Sequence, residues 1–260
     1  MSLSEVKENR EVCVSEINGD TRFVSRITSI GLTPGCRVSV IKNDKEIKRR
    51  RTDMGLFKNF VSQTRKPEGF LGKMMVNGMN GGHAKMADWG LSHLTSIVPE
   101  NIVELGCGGG RNAKALLEKY PSAKVTAIDY SEVSVGIAAE YNKDMINAGR
   151  CKVQQGDVSA LDLPEEAYDL ATAFETIYFW PGLEKCFAQV AKVLKPGGVF
   201  LIVNESDGTD EAGLKYEKII DGMKCHTAEE ITAALKAAGF SKVKTDHYKS
   251  KPWITVIAKK

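Results

Sequence analysis

Three glycines, Gly106, Gly108 and Gly110, follow the apolar run Asn101-Ile102-Val103-Glu104-Leu105 and open a helical pattern at Arg111. Glycine lets a backbone turn tightly and approach a ligand that a Cβ would hold off. About twenty residues further on, Asp129 ends a second apolar run, where a carboxylate can accept hydrogen bonds from ribose hydroxyls. Loop and acid together predict a nucleotide-type site. The dinucleotide form of this pattern needs a glycine at position 111, which is Arg111 here, and that speaks against a nicotinamide enzyme.

A second set of candidates could move protons. Phe174-Glu175-Thr176-Ile177-Tyr178-Phe179-Trp180 leaves a strand-like run at its C-terminal end, where open α/β sheets bind ligands. An aromatic ring there could face a cation, worth about 0.5–2 kcal/mol, or could simply belong to the core. Histidine is the side chain whose ordinary charge change lies near neutral pH, so His83 could orient a substrate or act as a base, or it could cap or pack a helix. Glu205 ends a later strand at the same edge. His83, Tyr178 and Glu205 are therefore the candidate catalytic residues. Asp169, within Tyr168-Asp169-Leu170, reads as structural.

Glu104-Leu105-Gly106-x-Gly108-x-Gly110 resembles motif I of class I, Rossmann-like methyltransferases that use S-adenosylmethionine. Gly156-Asp157-Val158 and Leu194-Lys195-Pro196-Gly197-Gly198 fall in register with two further motifs of that family. The resemblance spans roughly residues 70–260. It implies that the glycine loop meets the methionine part of S-adenosylmethionine and that Asp157 faces the adenine amino group. The implied cofactor-binding residues are Glu104, Gly106, Cys107, Gly108, Asp129, Tyr130, Ser131, Gly156, Asp157, Val158, Phe174 and Glu175. No metal is implied.

Those residues need a scaffold. Strand-like runs at 101–105, 124–129, 151–155, 168–174 and 199–204 alternate with helical patterns at Arg111–Tyr120, Val133–Ala148 and Leu183–Leu194. Such alternation predicts a doubly wound, mostly parallel α/β sheet. A helix from Ile231 to Ala238 precedes strands at Val243–Tyr248 and Trp253–Ala258, read as an antiparallel closing hairpin, for seven strands. Before the sheet, residues 67–98 read as a helical lid, with Gly81-Gly82 as a break and with Met74, Met75, Met79 and Met86 as apolar packing.

The first 45 residues read differently. Alternating strands at Glu11–Ile17 and Arg37–Ile41 flank a short helix at Arg22–Ile30 and the turn Thr33-Pro34-Gly35. Residues 3–42 resemble the small SH3-like domain of ferrous-iron transport accessory proteins, which implies a protein-contact module over 1–45. Residues 46–66 read as a basic linker, and Met54 could be an internal start.

Composition bounds the function. The 260 residues are 42% apolar and 27% charged, ordinary for a globular protein with its own core. The net charge is only +3, split as +5 over residues 1–65 and −2 beyond. Six scattered cysteines without a CxxC pair argue against a zinc site or a disulfide framework. No run approaches the roughly 20 apolar residues of a membrane span, and a cytoplasmic location is expected. Neither an Asp/Asn-Pro-Pro-Tyr/Phe run nor a Pro-Cys follows the fourth strand, which argues against two large nucleic-acid methyltransferase classes. The expectation is methyl transfer to a small molecule, with nucleic acid disfavoured. Two alternatives stay open. One is a nucleic-acid or protein methyltransferase using the basic run Lys48-Arg49-Arg50-Arg51. The other is a non-catalytic S-adenosylmethionine sensor.

Overall fold

The computed structural model describes residues 10–14, 37–40 and 83–260. The N-terminal strands β1 (Arg10–Cys13) and β2 (Arg37–Val40) pair antiparallel, Arg10 opposite Val40 and Cys13 opposite Arg37. The expected helix at 22–30, the basic linker at 46–66, Met54 and the first part of the lid, 67–82, lie outside the described residues.

The chain from His83 onward builds a seven-stranded sheet. Helix α1 (Ala84–Ser92) precedes β3 (Asn101–Leu105), α2 (Arg111–Lys119), β4 (Lys124–Asp129), α3 (Glu132–Tyr141), α4 (Lys143–Asn147) and β5 (Cys151–Gln155). Then come β6 (Tyr168–Phe174), α5 (Leu183–Val193), β7 (Leu194–Asn204), α6 (Glu211–Glu217), α7 (Ala228–Ala237), β8 (Lys242–His247) and β9 (Ile254–Lys259). The spatial order is β5-β4-β3-β6-β7-β9-β8. Strands β5 to β7 along this order run parallel, β9 is antiparallel to both of its neighbours, and the closing hairpin is present as expected.

Alternation along the strands feeds two apolar layers. Val103, Leu105, Phe200 and Ile202 face the layer of α5 and α7, with Phe187, Val190, Ile231 and Leu235. Ile102, Leu201 and Val203 face the layer of α1 and α2, with Met86, Leu91, Leu116 and Leu117. Helix α5 shows why it lies where it does: Leu183, Cys186, Phe187, Val190 and Ala191 fall at i, i+3, i+4, i+7 and i+8 and are buried on one face. Phe187 and Phe200 meet edge-on at 5.6 Å between ring centroids, and truncating either would cost about 3–5 kcal/mol.

The described part of the lid is a core element. Met86, Ala87, Gly90 and Leu91 are buried, and a Cβ on Gly90 would collide with Val203 Cγ2. Close packing of α1 on β7 thus anchors His83 at the helix start.

Several boundaries depart from the sequence reading, among them the expected strand Glu11–Ile17, which ends at Cys13. The helix expected over Val133–Ala148 breaks at Asn142, whose φ is −108°. The Asn142 amide donates to Gly110 O at 2.9 Å and to Ala138 O at 3.0 Å, so the side chain ties the glycine loop to α3 at the break. Strand β7 begins at Leu194, five residues before the expected Val199. Gly197 takes φ +78°, and the pairing of Gly197 and Gly198 with the Lys260 backbone keeps the Pro-Gly-Gly stretch in the ladder. Helix α7 starts at Ala228 because Thr227 and Glu230 form a reciprocal capping box. Helix α6 was not expected at all; Asp210 caps it by accepting from Gly213 N.

Candidate functional site

Strand β3 is paired with both β4 and β6, so the chain order reverses beside it. The crevice outside the carboxyl ends at such a switch point is where doubly wound sheets take ligands. Two loops meet there. A Cβ on Gly106 would lie 2.6 Å from Thr176 Oγ1, so only glycine, which also takes φ +78° here, lets the loop after β3 pass the loop after β6.

The glycine loop is held by backbone and by one carboxylate. Gly106 N and Cys107 N both donate to Ile128 O, at 2.8 and 2.9 Å. Gly108 N donates to Asp129 Oδ2 at 2.8 Å, and Ser131 N donates to Asp129 Oδ1 at 2.9 Å. Burial pushes the Asp129 carboxyl up, and the amides of Ser131 and Gly108 only partly offset it. Gly108 stands at φ +52° with open space where a Cβ would project. Cys107 is buried, and its thiol is pushed well up by burial and then by Asp129 and Glu104; it stays a neutral packing group.

Glu104 is the anomaly of this edge. It is 1% exposed, in the middle of the sheet, and its Oε2 has no hydrogen-bond partner. Burial, then the charge of Asp129, raise its pKa well above the ordinary value, while Arg111 acts in the other direction. Arg111 itself pairs with Asp88 on α1 at 2.5 Å. A buried carboxylate without a counter-ion is costly, so the position suits a cationic ligand group.

The remaining residues singled out for the cofactor line the same edge. Gly156 N donates to Asp129 O at 3.0 Å, and a Cβ on Gly156 would press against Ile128 Cγ2. Asp157 caps the short turn that begins at Val158 by accepting from Ser159 N at 2.8 Å. Ser131 caps α3, Tyr130 is 55% exposed and Phe174 is buried.

The three candidate catalytic residues converge, and they do so on Glu175. His83, Glu175 and Glu205 present ligand-type atoms that lie within 4.8 Å of one another. His83 Nδ1 is 4.0 Å from Glu175 Oε2. The Tyr178 hydroxyl donates to Glu175 Oε1 at 2.9 Å, and the Glu205 amide donates to the same oxygen. Ser206 N donates to the Tyr178 oxygen at 3.0 Å, so the phenol is fixed from both sides. Burial and then Glu175 raise the Tyr178 hydroxyl well above its ordinary value. Burial also raises Glu175, against the pull of His83. Glu175 takes φ +60°, a left-handed conformation that a non-glycine residue adopts at a cost of about 1–3 kcal/mol.

Several neighbours gave no signal in the sequence: Thr176 against Gly106, Asn142 on the glycine loop, Asp88 on Arg111, and Ser206 behind Tyr178. Each works through a contact between distant segments. Two other residues resolve as structural. Asp169 accepts from Glu100 N and Asn101 N at 3.0 and 2.8 Å and pairs with Lys195 at 2.7 Å. Burial pushes that carboxyl up, but Lys195 and the two amides outweigh it and hold it below its ordinary value. Trp180 donates to Thr176 Oγ1 at 2.6 Å and stacks on Phe200. A separate hollow of about 350 Å³ opens at the opposite strand ends, beside Lys124, Arg150 and Tyr168. Arg150 there is occupied by the carbonyls of Leu117, Tyr120 and Ala123, and the hollow shares nothing with the switch point. No helix among the described residues is long and apolar enough to cross a membrane.

Comparison with known proteins agrees with this fold. Residues 102–198 match the methyltransferase domain family, and residues 1–48 match the FeoA domain family. A sterol 24-C-methyltransferase of Gibberella zeae is 28% identical over 160 residues, covering 58% of this chain and 42% of that protein. A malonyl-acyl-carrier-protein O-methyltransferase of Geobacter sulfurreducens is 27% identical over 157 residues, 56% of this chain and 58% of that one. The chain thus spans about half the length of these curated relatives. Among solved structures, a methyltransferase bound to the Trm112 activator of Haloferax volcanii aligns with TM-score 0.64 at 18% identity, covering 72% of this chain and 93% of that one. A SAM-dependent methyltransferase of Aquifex aeolicus gives 0.59 at 17% identity, with 72% and 97% covered. Human N-acetylserotonin methyltransferase, solved with SAM, gives 0.62 at 16%, with 82% and 60% covered. The sheet thus has the class I, Rossmann-like methyltransferase fold, with residues 102–198 similar to the methyltransferase domain family and residues 1–48 similar to the FeoA domain family.

Proposed function

We propose that this protein transfers a methyl group from S-adenosylmethionine to a small-molecule acceptor. The observation that carries the reading is the buried Glu104 carboxylate with an oxygen left without a partner. The ammonium of the methionine moiety would supply the missing counter-charge. The open space over Gly108 admits the chain of that moiety. Asp129 accepts from the amides of Gly108 and Ser131 and from the Ser134 side chain, and a carboxylate's roughly four lone-pair sites leave room for a ribose hydroxyl. Gly156, Asp157 and Val158 border the adenine, with Cys107, Tyr130, Ser131 and Phe174 completing the wall and Glu175 dividing cofactor from acceptor.

When bound, the sulfonium supplies an already activated methyl group. This chain's residues need only position the acceptor, exclude water and take up its proton. His83 and Glu205 are the groups placed to receive that proton. Tyr178 stays protonated, because burial and Glu175 hold its hydroxyl up, and it is a positioning residue that aims Glu175. Methyl transfer would leave the bonding pair on sulfur, and His83 or Glu205 would take up the proton that the acceptor loses.

The acceptors named for the relatives, a sterol and a malonyl-acyl carrier protein, support a hydroxyl-, carboxyl- or carbon-centred small-molecule acceptor. The FeoA domain fits a protein-contact role over residues 1–45, with 46–66 as linker and 67–260 as the methyltransferase unit. Cys13, Cys107, Cys151, Cys186 and Cys225 are free thiols, which suits a reducing, cytoplasmic setting.

The test is release of S-adenosylhomocysteine across a panel of phenols, thiols, amines and carboxylates. Release that depends on one acceptor class and falls at least tenfold in His83→Ala or Glu205→Gln supports the reading. Tight cofactor binding with no release on any acceptor points to a sensor instead.

A further inference from the structure

The cluster of His83, Glu175 and Glu205 has a charge problem that methyl transfer alone does not explain. Two half-buried carboxylates stand within 4.8 Å of each other and of one imidazole. Among the described residues, neither pairs with a lysine or arginine, and the Glu205 side chain has no hydrogen bond or ion pair. His83 Nδ1 and Glu175 Oε2 lie 4.0 Å apart, too far for a direct hydrogen bond. Two donor atoms each about 2.1 Å from a shared ion stand about 3.0–3.4 Å apart at octahedral or tetrahedral angles, so the 4.0 Å gap needs to close by less than about 1 Å to hold one.

The donors are also held in place. Glu175 Oε1 is occupied by the Tyr178 hydroxyl and the Glu205 amide, which leaves Oε2 turned toward His83. Metal-ligating carboxylates are fixed in this way by hydrogen bonds on their other oxygen. His83 is anchored from behind by the packing of α1 against β7. The three donors come from the ends of three elements, α1, β6 and β7, so they approach a common point from different directions.

We propose that His83, Glu175 and Glu205 bind one divalent first-row transition-metal ion, whose open coordination positions take an oxygen of the methyl acceptor. An imidazole nitrogen among carboxylate oxygens favours such ions over Mg²⁺ and Ca²⁺, which take oxygen donors. Three protein ligands leave positions for water or substrate. With the ion bound, His83 and Glu205 serve as ligands and no longer as proton acceptors; a coordinated acceptor hydroxyl loses its proton more readily, and that proton leaves to water before methyl transfer. The role rests on the methyl-transfer reading; the binding itself does not.

The experiment uses the full chain, stripped with chelator and titrated with Mn²⁺, following the six-line spin-resonance signal of the free ion. Zn²⁺ and Mg²⁺ calorimetry run in parallel, and S-adenosylmethionine binding to the same wild-type sample is measured alongside. One Mn²⁺ per chain, with affinity at least tenfold lower in His83→Ala, Glu175→Gln and Glu205→Gln and with Mg²⁺ much weaker, supports the proposal. Thermal unfolding checks each variant; where His83→Ala fails to fold, the two conservative Glu→Gln changes carry the comparison. No stoichiometric Mn²⁺ or Zn²⁺ in the wild type, or binding unchanged in the folded variants, overturns it. S-Adenosylmethionine binding without Mn²⁺ binding removes the metal and leaves methyl transfer standing; Mn²⁺ binding without the cofactor does the reverse.

Discussion

The Gly108 amide donates to Asp129 Oδ2 at 2.8 Å, tying the loop after β3 to the last residue of β4. Ser131 N on Oδ1 adds the start of α3 to the same carboxylate. One side chain therefore joins three chain segments at the switch point, and the glycine loop is shaped before any ligand arrives. Preorganisation of this kind removes ordering cost from binding.

Gly108→Ala separates folding from binding. Its φ of +52° is strained for alanine, yet nothing lies within 4 Å of the added Cβ, so stability should fall by only about 1–2 kcal/mol. The methyl group would project into the space assigned to the cofactor, and calorimetry should show affinity for S-adenosylmethionine at least tenfold lower. Gly106→Ala should be worse for folding, since its Cβ meets Thr176.

Glu104→Gln should move stability and affinity in opposite directions. Burial raises this carboxyl in the folded chain. Its contribution to stability is thus complete below the ordinary glutamate range and is lost as pH rises through the raised value. Removing the charge should stabilise the ligand-free protein at neutral pH by about 1–3 kcal/mol. Affinity for the cofactor should drop about tenfold or more, equivalent to about 1.4 kcal/mol. In the wild type, affinity should rise with pH from the ordinary carboxylate range upward and release protons on binding; in the variant this slope should vanish.

Asp169→Ala should cost stability without touching the site. Two backbone amides and Lys195 lose their acceptor, worth about 2–4 kcal/mol in chemical denaturation. The carboxyl is held below its ordinary value. Its contribution is therefore present above the ordinary aspartate range and lost as pH falls through the lowered value. Cofactor affinity should stay within about twofold.

Local signals carried most of the sheet. Apolar runs ending at Leu105, Asp129 and Phe174 became β3, β4 and β6 with the same last residues, because buried parallel strands declare themselves by composition. The glycine loop was equally legible, since positive φ at Gly106, Gly108 and Gly110 is what those glycines are for. The break at Asn142 was not, because it depends on a hydrogen bond to Gly110, 32 positions away. The centre of the titratable cluster was likewise hidden. Glu175 reads from sequence as one residue in a cofactor wall, and only folding brings His83 from α1 and Glu205 from β7 against it.

The most direct measurement is calorimetric titration of S-adenosylmethionine, S-adenosylhomocysteine and NAD into the wild type and Asp129→Ala. Micromolar binding of the first two, abolished or weakened at least a hundredfold in the variant, with no NAD binding, is the predicted result. Binding of NAD alone, or equal binding of S-adenosylmethionine to both proteins, would contradict the assignment of this edge to the methyl donor.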